Sequence, residues 1–311
     1  MPSQTRRRFL GNTAAGIGTA LGITRARVPA AESTAAAKFR PRFAICNETF
    51  RDWPFEKTFA LAAECGYEGI EIAPFTISDY VTDVSSERRG EIRRQAEKAG
   101  LKIVGLHWLL ARTKGLHLSG PEAETRRRTT QYLAALAGFC ADLGGKLLVF
   151  GSPKQRNLLP GVGRGEAMKY AADVIGNVLP TLEAKDVLLA MEPLSPGATD
   201  FLNTAADAVE LVKRVDSPRC RLILDCNAMS TETKPIPQLI AENRSHLVHF
   251  HANDPNRQGP GFGELDFVPI FRALGEIDYG GWVSVEVFDY TPGPERLARE
   301  SIDYMRKCLA R

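Results

Sequence analysis

Gly280-Gly281-Trp282-Val283-Ser284-Val285-Glu286 is the stretch on which the reading of this chain turns. Two glycines punctuate the backbone, and a β-branched alternation follows. In a strand, side chains two apart share a face, so Val283, Val285 and Val287 lie together and Ser284 and Glu286 oppose them. The valine face suits packing against helices. Glu286 is then left on the inner face at the strand's C-terminal end, where a carboxylate is costly to bury without a cation. Three earlier segments end in the same way: Leu189-Ala190-Met191-Glu192-Pro193, Leu222-Ile223-Leu224-Asp225 and His249-Phe250-His251. The intervals between Glu192, Asp225, His251 and Glu286 are 33, 26 and 35 residues, each close to one strand–helix unit.

The same rhythm runs from residue 42 to the end. Short apolar runs near Phe43–Asn47, Gly69–Ile72, Ile103–His107, Lys146–Phe150, Val187–Glu192, Arg221–Asp225, Leu247–His251 and Trp282–Glu286 read as strands. Helical patterns fall near 55–65, 85–99, 121–143, 164–184, 203–214, 235–243, 267–276 and 294–309. Eight strands each followed by a helix over residues 42–311 predict a single-domain α/β protein, a (β/α)8 TIM barrel. An open doubly wound sheet would normally carry a glycine fingerprint after its first strand. Here that position reads Cys46-Asn47-Glu48-Thr49-Phe50, which disfavours a dinucleotide fold. In a barrel, all four strand-end residues rise to one rim.

Composition narrows the partners. The formal charge is +3, but Arg6, Arg7, Arg8, Arg25 and Arg27 all precede residue 31, and no acid does. Removing those five from 40 basic residues leaves 35 against 37 acidic ones, a net of −2. Such a body has no general attraction for nucleic acid or anionic membrane, and a small-molecule substrate is expected. Thr5-Arg6-Arg7-Arg8-Phe9-Leu10 resembles a twin-arginine export signal, followed by a weakly apolar run from Gly11 to Thr24 and small residues at Val28-Pro29-Ala30-Ala31. Residues 1–31 are therefore expected to be a signal peptide read by the twin-arginine export machinery, delivering the chain to the periplasm or the extracellular space. The Gly11–Thr24 run is too short and polar for a stable membrane span. The six cysteines show no pairing pattern and are assigned no role, and nothing specifies an oligomeric state.

Three acids and one imidazole converging on a point suit a divalent cation such as Mn2+, Mg2+ or Co2+, with Zn2+ also within the reach of such a set. At these residues the chain resembles the xylose-isomerase-like barrel superfamily of sugar phosphate isomerases and epimerases, most closely its ketose 3-epimerase branch. The carrying segments are Met191-Glu192-Pro193-Leu194, Phe201-Leu202-Asn203-Thr204-Ala205, Leu224-Asp225, His249-Phe250-His251 with Asn256-Arg257, Gly261-Phe262-Gly263 and Gly280 to Glu286. The resemblance implies that Glu192, Asp225, His251 and Glu286 bind the metal. It also implies that Glu192 and Glu286 exchange the substrate proton on opposite faces, and that Arg257 contacts substrate oxygens. Proton abstraction beside a carbonyl, through a metal-stabilised enediolate, is the matching chemistry on a carbohydrate. Two positions depart from the branch: Ala228 replaces a histidine three residues after the metal aspartate, and Ala198 a glutamate six residues after the first metal glutamate. Both are sugar contacts in the branch, so substrate and outcome stay open.

Further substrate contacts are expected at His107, beside Trp108, at Glu71, at Lys154 in Gly151-Ser152-Pro153-Lys154-Gln155-Arg156, and at Asp254. His249 shares a face with His251 and is expected one layer beneath it, supporting the metal histidine. A metal-dependent lyase or dehydratase acting on keto-sugars or glycosides could use the same groups. So could a non-catalytic secreted sugar- or metal-binding protein, although retention of both glutamates argues against the latter.

Overall fold

The computed structural model describes residues 39–311; the expected signal peptide lies outside them. Eight parallel strands close into a barrel in chain order: β1 Arg42–Cys46, β2 Gly69–Ile72, β3 Lys102–Leu106, β4 Leu147–Phe150, β5 Leu188–Met191, β6 Cys220–Asp225, β7 Leu247–Ala252 and β8 Trp282–Val285. β8 returns to pair with β1, Phe43 opposite Val283 and Ile45 opposite Val285, so no edge remains. The fold is the (β/α)8 barrel expected from the repeating pattern.

Around it lie α1 Phe55–Cys65, α2 Ser86–Lys98, α3 Ala123–Asp142, α4 Arg164–Lys185, α5 Ala205–Val215, α6 Cys226–Met229, α7 Ile236–Glu242, α8 Phe267–Glu276 and α9 Pro294–Leu309. The main apolar core fills the layer between strands and helices, and Val283, Val285 and Val287 belong to it together with Ile45, Ile70 and Ile302. Inside the barrel a smaller apolar plug of Ala44, Val104, Leu147, Val149, Ala190 and Ile223 fills the lower half. Above that plug the interior turns polar, with Glu71, His249, His251 and Ser284 all buried.

Two irregularities interrupt the ladder near the polar layer. The ladder shifts register between Ile70 and Glu71 and again between Leu222 and Ile223, as bulges beside functional sites often do. The short helices after β1 and β6 lie outside the expected pattern. Residues Asn47–Phe50 form a 3-10 turn. Asp225 caps α6, its Oδ1 accepting from the Ala228 backbone N–H at 2.8 Å. Four residues cannot display a helical period, which is why that turn is invisible in the apolar pattern.

Gly105 in β3 faces Leu147 of β4, and a Cβ added there would lie 2.8 Å from the Leu147 Cβ and closer still to its carbonyl oxygen. Gly105→Ala is expected to destabilise the barrel by about 1–3 kcal/mol through overpacking, read as a lowered midpoint in denaturant unfolding with an unchanged slope.

Candidate active site

Glu192 follows β5, Asp225 ends β6, His251 lies in β7 and Glu286 follows β8. The barrel's register brings them together: Asp225 pairs with His251, and His251 with Ser284, two residues before Glu286. One ligand atom from each of the four lies within 4.8 Å of all the others, and all four residues are buried. His251 Nδ1 lies 2.8 Å from Glu286 Oε2 and 3.7 Å from Glu192 Oε1. Yet none of these three atoms has a hydrogen-bond partner. They crowd one point without bonding one another, as ligands of a common cation do. The residues fit a divalent ion.

A tier of supporting groups holds this arrangement. Glu71 spans the interior from β2, its Oε1 accepting from His249 Nε2 at 2.7 Å and its Oε2 from His251 Nε2 at 3.3 Å. With the proton of His251 assigned to Nε2, Nδ1 is turned to the cluster. Asn253 Nδ2 donates to Asp225 Oδ2 at 2.6 Å, and Asn253 Oδ1 accepts from the Asn227 N–H. The fully buried Arg156 donates from Nη1 to the Glu192 backbone oxygen at 2.6 Å. Gly151 gives Glu192 its room, because a Cβ there would collide with Glu192 Oε2.

Burial pushes the Asp225 carboxyl up to about 6, helped by the neighbouring charge of Glu192. It pushes Glu286 up to about 7, against the pull of His251. Burial alone would lower His251, but Glu286 and Glu71 outweigh it and hold the imidazole well above its ordinary value. In the metal-free protein, protons therefore take up part of the role a cation would play.

Over the cluster opens a cavity of about 510 Å³, with Glu192, Asp225 and Glu286 among its lining. Its walls include Trp108, Pro153, Leu194, Arg257 and Phe288, together with Ala198 and Ala228. Trp108 meets Phe288 edge to face at 6.2 Å, and the Arg257 guanidinium lies 5.9 Å from the Phe288 ring. Arg257 is thus at the wall, where a substrate contact is expected. A larger hollow of about 1050 Å³ on the outer helix layer, lined by Arg126, Arg127 and Lys169, contains none of these acids or imidazoles.

Four expected substrate contacts are placed elsewhere. Both oxygens of Glu71 are occupied by imidazoles and the residue has no exposure, so it is a strut beneath the site. His107 is buried against Glu48, Nε2 to Oε2 at 2.6 Å, and the cavity wall at that strand end is Trp108. Lys154 is exposed and outside the lining; the cation that its loop turns inward is Arg156. Asp254 accepts from the backbone N–H groups of Leu265 and Gly261, both at 2.9 Å, and ties down the loop after β7. His249 lies beside His251, ring centroids 5.1 Å apart, and is bonded to Glu71. Nothing in the sequence pattern singles out Glu48, Arg156 or Asn253 as site residues. Cys46, given no role, lies among the acids, with Glu48, His107 and Glu286 in reach.

A closed (β/α)8 barrel with a buried carboxylate–imidazole cluster under an open cavity defines the class: proteins that place polar chemistry at the C-terminal rim of the strands. More narrowly, the chain belongs to the xylose isomerase-like TIM barrel family, whose pattern matches residues 59–308. It is 27% identical over 231 residues to a D-psicose 3-epimerase of Ruminiclostridium cellulolyticum, covering 73% of this chain and 75% of the relative. It is 26% identical over 271 residues to the 3-dehydro-D-guloside 4-epimerase of Escherichia coli, covering 84% and 98%. In fold it resembles the crystal structure of D-psicose 3-epimerase from Clostridium cellulolyticum H10 with D-tagatose, at a TM-score of 0.77, 22% identity and coverage of 86% and 99%. The chain therefore has the fold of sugar isomerases and epimerases, and these two relatives are named epimerases.

The raised carboxyls give a test. Asp225 and Glu286 hold protons more tightly folded than unfolded, so their burial is least costly below about pH 4 and becomes fully costly above about pH 7. The metal-free protein is expected to lose thermal stability as pH rises through that window. Glu286→Gln should show a shallower fall, and saturating divalent cation should remove most of the wild-type loss; unfolding curves across that range check both.

Proposed function

We propose that this chain is a divalent-metal-dependent sugar isomerase/epimerase acting by proton transfer beside a carbonyl, with Glu192 and Glu286 as the acid–base pair. The observation carrying the reading is the trio of buried, unpartnered atoms, Glu192 Oε1, His251 Nδ1 and Glu286 Oε2, which share reach with Asp225 beneath a cavity. Glu192, Asp225, His251 and Glu286 would hold Mn2+, Mg2+ or Co2+. When bound, such an ion draws electron density from a carbonyl and so acidifies the neighbouring C–H.

The remaining work falls to side chains. Glu192 and Glu286 come from β5 and β8, with two strands between them, and both line the cavity floor. One can take a proton and the other return one from a different side, which is what inversion at a carbon requires. Glu286, raised by burial, is suited to hold a proton near neutral pH. Gly151 leaves room for the Glu192 carboxylate while Arg156 holds its backbone. Arg257 and the faces of Trp108 and Phe288 orient the sugar, the guanidinium on its oxygens and the rings on its C–H surface. Ala198 and Ala228 leave two wall positions without a polar group. That favours a substrate less dependent on hydroxyl contacts there than a free ketohexose, such as a keto-glycoside, and keeps β-elimination as the second outcome of the same proton abstraction.

Solvent deuterium incorporation into a panel of ketoses and 3-keto-glycosides tests the reading. Wild type should exchange one carbon-bound hydrogen in a cation-dependent way. Glu192→Gln and Glu286→Gln should each slow exchange by about 10²–10⁴-fold. Undiminished exchange in either variant with the cation still bound would refute the two-glutamate assignment.

We further propose that residues 1–31 direct export by the twin-arginine route to the periplasm or beyond, on the strength of Arg6-Arg7-Arg8-Phe9-Leu10 and the short apolar run after it. Among the described residues no helix is long and apolar enough to cross a membrane. Replacing both Arg6 and Arg7 with lysine should retain the full-length chain in the cytoplasmic fraction; unchanged distribution would overturn the proposal.

A further inference from the structure

We propose that this chain carries a second cation site, on the β1–β3 side of the barrel mouth, formed by Cys46, Glu48 and His107 with Glu286 as a ligand shared between the two sites. It goes beyond the function proposed above and has only Glu286 in common with it.

The geometry is built by three strand exits. Cys46 is the last residue of β1, His107 the first after β3, and Glu48 lies in the 3-10 turn that follows β1. That turn is pinned inward because Asn47 Oδ1 accepts from the Ala73 N–H at 2.7 Å and Asn47 Nδ2 donates to Thr76 at 2.9 Å. One ligand atom from each of Cys46, Glu48, His107 and Glu286 lies within 4.8 Å of the other three, and every one of these residues is buried. The hydrogen bond between His107 Nε2 and Glu48 Oε2 uses one polar atom of each. Glu48 Oε1 and His107 Nδ1 are left buried without a partner, as is Glu286 Oε2. Unsatisfied buried polar atoms are costly, and three of the four residues in this cluster each carry one, as ligands of an absent cation do.

Cys46 also lies within the same reach of Glu71 and His251. There, however, both Glu71 oxygens already accept from imidazoles, so the set with Glu48 and His107 has the free donor atoms. A thiolate and an imidazole among two carboxylates favour a softer ion than an all-oxygen set does, Zn2+ or Co2+. A carboxylate bridging two ions is a recurrent way to hold a two-metal centre.

The test uses the full chain, stripped of metal, reloaded with excess Co2+ and freed of unbound ion. Elemental analysis gives ions per chain, and near-ultraviolet absorption gives thiolate-to-cobalt charge transfer, neither of which requires activity. Wild type should bind two ions and show the charge-transfer band. Cys46→Ser and the shape-conserving Glu48→Gln should each bind one, the first without the band. Asp225→Asn, which keeps the α6 cap, should also bind one but retain the band. A wild type holding a single ion, without the band and lost in Asp225→Asn, would refute the second site and leave the first standing. A single ion with the band, lost in Cys46→Ser but kept in Asp225→Asn, would support the second site and refute the first. Two ions in Cys46→Ser would refute the thiolate ligand and with it this proposal.

Discussion

The bond between Glu71 and the two β7 histidines is the constraint from which the site's geometry follows. It crosses the barrel interior from β2 to β7. Although burial resists its ionisation, His249 and His251 hold the Glu71 carboxyl well below the ordinary range. A charged acid in that position holds a proton on His251 Nε2 and so turns Nδ1 to Glu192 and Glu286. Without it the imidazole could rotate or change tautomer, and the crowding at the rim would lose its common focus. The small apolar plug of Ala44, Val104, Leu147, Val149, Ala190 and Ile223 fills the barrel beside this bond.

A second constraint is like charge out of water. Asp225 and Glu286 converge beside Glu192, where desolvation and the neighbouring like charge both oppose their ionisation. Structures tolerate such groups when something else answers for them. Here the supporting bonds of Asn253, Arg156 and the Asp225–Ala228 cap anchor the cluster without neutralising it. The fold thus keeps a deficit of positive charge at a position that the cavity leaves open, the condition in which a cation binds with the greatest gain.

The barrel and its rim were legible because both follow from period. Alternation in Val283, Val285 and Val287 puts Glu286 inside, and the spacing of Glu192, Asp225 and His251 repeats one strand–helix unit. Periodicity fails where a side chain's role depends on what stands across from it. Glu71 lies near the end of a strand much as Glu286 does, but it sits one residue inside β2, beside a bulge and opposite the histidines, and is a strut. Lys154 and Arg156 are both cations in one loop, and only the fold decides which is buried. Asp254 reads as a turn residue and serves as one, holding the backbone of Gly261 and Leu265. Glu48 was hidden because a four-residue 3-10 turn carries no repeating signal, and Cys46 because the cysteines show no pairing or ligand spacing.

Trp108 and Arg257 stand on the cavity wall with backbones in the left-handed region, φ 53° and 72°. Side chains larger than glycine adopt that conformation at a cost of order 1–3 kcal/mol, which the surrounding fold must supply before any guest arrives. The Arg257 carbonyl, held by the N–H groups of Phe288 and Asp289 at 2.8 Å, shows where some of that support originates. The entrance is consequently a standing frame: whatever small molecule enters meets an aperture two of whose wall residues have their backbones already set.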